Sequence, residues 1–326
     1  MGSPPRPREI TYRVTGRDQG RRLDLFLKER IPRMSREGIK EAILTRVAIA
    51  GRRKARPSTP LRAGDEVIVT WPPEEDARAW EAAPSPSPGP VVIHEDLCLL
   101  VVDKPAGMLV HATSSSTRPS LLGVLRSQGH GELHLVHRLD RETSGVVVLA
   151  RDAASARHLS GAFARGEVEK IYVAVVFGEV EESHGVIDLP LGGAAGSAIH
   201  IKQGVDEKAG RSSRTEFSVS ERVPGFTVLE LRPRTGRRHQ LRVHSQAIGH
   251  PIVGDKLYAA RESHHVRFIE RGFDTRMREE LLAERQLLHA ARITLPHPST
   301  GRRETFAAPL PADIEAFISS RRARRS

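Results

Sequence analysis

One carboxylate, Asp140, stands between Arg138 and Arg141 in the stretch His137-Arg138-Leu139-Asp140-Arg141-Glu142-Thr143-Ser144-Gly145, and the apolar run Val146–Ala150 follows at once. A polar loop that empties into a β-branched run reads as a shaped turn entering a buried strand. Thr143, Ser144 and Gly145 can bond to nearby backbone or bend it, so the loop can hold the carboxylate in place. A carboxylate so held can serve as a nucleophile; the bland alternative is a surface ion pair beside a strand. A second cluster, Thr235-Gly236-Arg237-Arg238-His239-Gln240-Leu241-Arg242-Val243-His244, is rich in cations and imidazoles. His239 and Arg242 are three apart and would share a face of a helix, with Leu241 and Ile248 inward. Such a face needs an anion, either phosphate or a distant carboxylate, and Asp140 is the candidate.

Other chemistries are set aside. The chain has no Walker loop, dinucleotide fingerprint or Gly-x-Ser-x-Gly elbow. His239 and His244 lack the His-Glu-x-x-His arrangement, and with Cys98 as the single cysteine no zinc site is expected. Cys98 sits in an apolar run and reads as core. The remaining polar groups beside strands are Lys104-Pro105-Ala106-Gly107 with His111, Lys170-Ile171-Tyr172, the loop Gly249–Tyr258, and Leu288-His289-Ala290. Tyr172 could equally be a half-buried core aromatic.

These groups must be positioned by a sheet. Strands are predicted at 98–103, 145–150, 170–177, 215–221, 226–232 and 291–295, and helices at 120–127, 153–165 and about 238–248. In the second helix Ala156, Leu159, Ala162 and Phe163 form an apolar stripe that reads as core. The elements do not alternate strictly, which predicts an α+β domain around a mostly antiparallel mixed sheet. It should span 91–318, between a Pro-rich linker at 73–90 and a basic tail at 319–326.

Ahead of the linker lies a smaller α/β unit, 10–72, after a tail at 1–9 expected to be disordered. Residues 1–72 hold 17 Lys/Arg against 8 Asp/Glu, a net +9 of the chain's +11. Charge this localised suits a polyanion, bound with strong salt dependence and little sequence preference. An ordinary solvated basic surface is the alternative. Arg22, Ser35, Arg36, Lys40, Arg52, Arg53 and Lys54 are the candidate phosphate contacts, with Ser35 also a candidate helix N-cap. No apolar stretch approaches the ~20 residues of a membrane span, and no signal-peptide region is visible at the start, so a cytoplasmic protein is expected.

The segments Arg22-Leu23-Asp24-Leu25-Phe26-Leu27, Ser35-Arg36-Glu37-Gly38-Ile39-Lys40 and the Gly64-Asp65 turn resemble the RNA-binding domain named for small-subunit ribosomal protein four, with Ala50-Gly51 where that family usually has Asn-Gly. From residue 20 to 312 the chain resembles the RluA-type pseudouridine synthases. Its most specific motif is His-Arg-Leu-Asp-Arg-Glu-Thr-Ser-Gly, followed in order by Thr-Gly-Arg-x-His-Gln-Leu-Arg-x-His. Ser213 departs from the alanine more common in that family. The resemblance implies a pseudouridine synthase fold and isomerisation of uridine in structured RNA, most simply large-subunit ribosomal RNA, with transfer RNA also open. It implies Asp140 as nucleophile, Tyr172 as active-site aromatic, Arg242 as salt-bridge partner of Asp140, and Arg138 as the residue that enters RNA where the target base leaves. The isomerisation needs no cofactor or metal, and a monomer is expected. Two other readings stay open: a non-catalytic RNA-binding or ribosome-assembly factor on the same scaffold, and a base-excising hydrolase in which Asp140 activates water.

Overall fold

Leu23, Phe26 and Leu27 recur at helical spacing and are fully buried on one face of α1 (Leu23–Arg30). The structure, a computed structural model, describes residues 8–31, 36–51, 55–71, 89–111, 120–197, 199, 201–259, 268 and 273–323. It divides into two compact units, one built chiefly from Met1–Ala83 and the other from Pro84 onward. In the first, α1 and α2 (Arg36–Thr45) pack Phe26, Ile39 and Ile43 against Val67 and Val69 of a three-stranded antiparallel sheet. Its strands are β1 (Arg8–Arg13), β2 (Val47–Ile49) and β3 (Glu66–Trp71), in the order β1-β3-β2. Arg8 and Glu9, expected in a disordered tail, instead pair with Trp71 and Thr70 in the ladder, while residues 1–7 lie outside the described residues. Ser35, Arg52, Arg53, Lys54 and nearly all of the Pro-rich linker lie outside the described residues.

The second unit runs β4 (Val91–Glu95), β5 (Leu99–Lys104), α3 (Leu121–Ser127), β6 (His134–Leu135), β7 (Ser144–Ala150), α4 (Ala153–Arg165) and β8 (Glu169–Phe177). It continues through β9 (His184–Asp188), β10 (Leu191–Gly193), β11 (Gln203–Val205), β12 (Arg214–Val223), β13 (Phe226–Pro233) and α5 (Gln240–Ala247). The last elements are α6 (Thr275–Leu281), β14 (Leu288–Pro296), β15 (Arg303–Ala307) and α7 (Ala312–Arg322). The main sheet has the order β4-β5-β7-β14-β8-β13-β12-β9, with β6 on β7 and β15 on β14. Every pairing in it is antiparallel except β7 with β14. This is the predicted α+β architecture.

All of β7 is buried, which explains why it reads as an unbroken apolar run. Val146, Val148 and Ala150 meet Leu159 and Ala162 of α4 on one face, while Val147 and Leu149 meet Leu121 and Leu125 of α3 on the other. The helices start where their caps dictate. Ser120 accepts from the Gly123 amide, and Asp152 accepts from the Ala154 and Ser155 amides.

Three expectations need correction. The helix predicted from Arg238 begins at Gln240, because His239 sits at φ 56°, in the left-handed region. Ser319–Arg322 of the expected basic tail are instead the end of α7, in which Ile314 and Ile318 are buried, Arg321 lies over the Phe226 and Phe317 rings, and Arg322 pairs with Glu221; residues 324–326 lie outside the described residues. Strands β1, β4, β6, β9, β10, β11 and β15 were not foreseen.

The parallel contact pins the Asp140 loop. Gly145 pairs with Ala290 at φ 111°, and a Cβ there would lie 2.2 Å from the Ala290 carbonyl oxygen. No L side chain fits this close approach. Gly145→Ala is therefore expected to lower unfolding stability by about 3 kcal/mol, from strain and overpacking together, measurable as a denaturant-midpoint shift. An unchanged midpoint would show that this contact does not constrain the loop.

Candidate active site

Asp140 lies in the loop that leads into β7, and its position is over-determined by the backbone around it. Its carbonyl accepts the Thr143 amide at 3.1 Å, and the Thr143 hydroxyl accepts from Gln286 at 2.8 Å. Lys104, fully buried at the end of β5, donates to the carbonyls of Pro105, Met108 and Arg141 at 2.9, 3.0 and 3.2 Å. Burial brings its ammonium down to about 7, reinforced by the charge of Arg285. Glu142 meets Lys256 through both oxygens at 2.9 Å, and Arg285 donates to the Glu142 carbonyl at 3.2 Å.

His137 takes the Val148 amide on Nε2 at 2.9 Å and stacks on Phe163. It is a structural imidazole. Arg141 faces Glu142 at 3.3 Å, and Arg138 is exposed. The ion pair that Asp140 makes is instead with Arg242, 102 residues away, at 3.0 Å between Nη1 and Oδ2.

Arg242 reaches that position from the first turns of α5. Gln240 anchors this helix by accepting from the Thr235 hydroxyl and the Arg237 amide and by donating to the Arg214 carbonyl and the Thr215 hydroxyl. His244 contacts the Thr215 hydroxyl, the Leu189 carbonyl and Ser213, so the unusual serine is a buried partner of this imidazole. The guanidinium itself is held by a residue the sequence reading did not single out. Asp255, fully buried, takes Arg242 Nε at 2.6 Å and Nη2 at 2.8 Å and also accepts the Leu257 and Tyr258 amides. Its only advance signal was the Gly249–Tyr258 loop, noted as structured without a role. Gly254 sets that loop: at φ 79°, a Cβ would lie 1.8 Å from the Arg285 carbonyl oxygen.

His239 was expected to share a helical face with Arg242. It precedes the helix instead, yet its ring still arrives beside Asp140, with Nε2 3.9 Å from Oδ2. Burial pushes the Asp140 carboxyl up, but the charge of Arg242, its hydrogen bond and the charge of Arg138 outweigh this and hold it below its usual range. Asp255 follows the same logic, burial being overcome by Arg242. Burial takes the His239 imidazole down to about 4, with the like charge of Arg242 next.

Arg138, Asp140, Lys170, Tyr172, His239 and Arg242 line one cleft of about 780 Å³. Tyr172, on β8, is half-buried, and its phenol is raised by burial and then by the charge of Asp140. Lys170 donates to the Thr235 carbonyl at 3.3 Å, and burial lowers its ammonium to about 8. Among the described residues no group of three or more His, Cys, Asp or Glu side chains is arranged to hold a metal.

The cleft can therefore hold an ionised, single-faced carboxylate beside an aromatic ring and several cations. Comparison with known proteins says what such a cleft belongs to. Residues 98–247 match the family model for RNA pseudouridylate synthase. The chain is 35% identical to an uncharacterized RNA pseudouridine synthase of Chloroflexus aurantiacus, over 94% of this chain and 91% of that protein. It is 33% identical to ribosomal large subunit pseudouridine synthase D of Yersinia pestis, over 97% and 95%. The chain belongs to the RluA-type RNA pseudouridine synthases. Their fold is also that of human RNA pseudouridylate synthase domain containing 1, with a TM-score of 0.56 at 24% identity, over 74% of this chain and 98% of that one. This pseudouridine synthase is accordingly an isomerase acting on uridine in RNA.

The buried groups of this synthase make its stability depend on acid in two stages. Burial holds His137, His239 and His289 at about 4 in the folded state against 6.5 for the free group. The unfolded chain thus binds more protons in that window, and stability falls as pH drops from about 6.5 to 4. Asp140, Asp255 and Glu142 lie below their ordinary values when folded. Their contribution is complete above the unfolded carboxylate range and is lost as pH falls below about 4. Denaturant midpoints measured against pH should show both stages, and His137→Gln should flatten the first. A midpoint constant from pH 7 to 4 would contradict the buried neutral imidazoles.

Proposed function

We propose that this enzyme converts uridine to pseudouridine in large-subunit ribosomal RNA, with Asp140 as nucleophile and the target base flipped into the cleft. The observation that carries this reading is the Asp140–Arg242 contact at 3.0 Å, in a cleft where Asp140 keeps 24% of its side chain exposed. The substrate class follows from relatives named as ribosomal large subunit pseudouridine synthases, among them that of Yersinia pestis.

The reaction breaks N1–C1′, turns the base and joins C5 to C1′. The pair from N1–C1′ stays with the base as the carboxylate engages the nucleoside, by attack on C1′ or by addition to the base. C5 then bonds to C1′, the carboxylate is released, and the proton on C5 is exchanged for one on N1. Arg242 keeps the carboxylate charged and oriented. Tyr172 supplies a neutral ring for stacking on the uracil. Its raised phenol makes it poorly suited to abstract the C5 proton. Extruding the base costs roughly a few kcal/mol, offset by the basic surface and by Arg138, exposed at the rim and free to enter the gap left behind.

The N-terminal unit is read as an RNA-binding domain of the ribosomal-protein-four kind, two helices on a small sheet. Within it Arg22 is engaged by Asp24 at 3.0 and 2.8 Å, and Lys40 is half-buried. Arg36 belongs to α2, while Ser35, Arg52, Arg53 and Lys54 fall outside the described residues.

Three variants test these assignments. Asp140→Asn should reduce pseudouridine formation by at least about 10³-fold, assayed by nucleoside chromatography of digested ribosomal RNA, while RNA binding persists. Retained turnover rejects the nucleophile, and free uracil release would point to a hydrolase. Arg242→Ala should cut turnover far more than affinity; a defect in affinity alone would deny it a place beside Asp140. Removing residues 1–72 should weaken RNA binding and flatten its dependence on salt, as expected for lost phosphate contacts. An unchanged salt slope would exclude the N-terminal unit from RNA capture.

A further inference from the structure

The structure assigns His239 a part in the reaction, as a neutral Nε2–H donor to a carbonyl oxygen of the target uracil, with Tyr258 as the positioning residue that sets its tautomer. This rests on the reading of Asp140 as nucleophile. The Gln203 amide donates to the Tyr258 phenol oxygen at 2.9 Å, and that oxygen lies 2.9 Å from His239 Nδ1. Tyr258 is 2% exposed, so its own proton needs an acceptor within the protein. Among the described residues His239 Nδ1 is the acceptor in reach, and it therefore bears no proton. The neutral ring then carries its proton on Nε2.

That N–H is placed where charge will develop. Nε2 lies 3.9 Å from Asp140 Oδ2, beyond hydrogen-bond length, so the donor adjoins the nucleophile without being consumed by it. The ring is fixed by its edge-on contact with Tyr258 and by a left-handed backbone that residues with a β-carbon seldom adopt. Three of the five N–H donors of Arg242 are already committed to Asp255 and Asp140, and those bonds fix the plane of its guanidinium.

The chemistry requires such a donor by either route. Attack at C1′ leaves the N1–C1′ electron pair on the base, delocalised onto its carbonyl oxygens; addition at C6 produces an enolate. In both, a carbonyl oxygen becomes more negative than in the bound substrate, and a fixed N–H stabilises that state selectively. Burial and Arg242 keep the imidazole neutral, so it donates a hydrogen bond and retains its proton throughout.

The test is nitrogen-15 NMR of histidine-labelled full-length enzyme, with His239 assigned by its absence in His239→Gln, combined with steady-state kinetics. The wild-type spectrum at pH 7 should show His239 protonated on Nε2 and bare on Nδ1, and Tyr258→Phe should mix the two tautomers and lower kcat. His239→Ala should lose on the order of 10²-fold in kcat with KM little changed, and His239→Gln, which restores a side-chain N–H, should recover part of the loss. An Nδ1–H tautomer in the wild type, or a His239→Ala defect confined to KM, overturns the assignment. Should His239→Ala fail to fold, the wild-type and Tyr258→Phe spectra still decide. Turnover retained in Asp140→Asn with the expected tautomer would instead remove the nucleophile reading alone.

Discussion

The guanidinium of Arg242 is shared unequally between two carboxylates, Asp255 holding Nε and Nη2 at 2.6 and 2.8 Å and Asp140 holding Nη1 at 3.0 Å. The two-pronged contact fixes the plane of the fork, and fixing the plane aims the remaining nitrogen. A lysine in the same place would supply charge without direction. Asp255 is sealed from solvent, whereas Asp140 keeps a quarter of its side chain open, so one carboxylate anchors the cation and the other receives its benefit at the cleft. Buried ion pairs often add little net stability, because desolvation opposes attraction. Here the arrangement secures geometry and ionisation, which a hydrophobic replacement of equal stability would not provide.

The Asp140 loop must meet that fork without a regular ladder of its own. Its carbonyls are claimed by cations from three separate segments: Lys104 from β5 takes that of Arg141, Arg285 takes that of Glu142, and Lys256 closes the set through the Glu142 side chain. Backbone packing does the rest, since Gly145 and Gly254 each sit where a β-carbon would strike a neighbouring carbonyl. Lys256 directly follows Asp255, and the Arg285 carbonyl is the one that Gly254 approaches. The loop that carries the acid and the loop that orients its partner are consequently braced by shared residues and cannot shift independently.

What could be read in the sequence was whatever depends on residue type within one segment. Asp140, Tyr172 and Arg242 stood out as polar groups beside apolar runs, and the sheet's central strands declared themselves because β5 and β7 are buried on both faces. The pair of Asp140 with Arg242 was named in advance, from the cation cluster and the family resemblance, but Asp255 was hidden inside a loop whose shape depends on one close backbone approach at Gly254. His239 was weighed on a helical period that its left-handed backbone breaks. Strands β4 and β9 escaped because both are largely exposed edges, with Val91 and Val186 facing solvent and little periodicity to betray them. Helix α7 read as a basic tail because Arg322 pairs with Glu221 and Arg321 lies over the Phe226 ring, tertiary contacts that no local pattern reveals.

A nucleophilic carboxylate presents a conflict that this site resolves by asymmetry. Holding the acid ionised calls for a strong cation, yet a cation bridging both oxygens would lower their electron density and block approach. Arg242 donates to Oδ2 and the neutral His239 ring stands 3.9 Å from it, while Oδ1 accepts from none of the described residues. One oxygen thus bears the electrostatic stabilisation and the other remains uncommitted at the edge of the cleft. Because Asp255 occupies the rest of the guanidinium, Arg242 cannot swing to chelate both oxygens of Asp140. The second carboxylate therefore limits how tightly the first is held, and that restraint leaves the acid charged but still reactive.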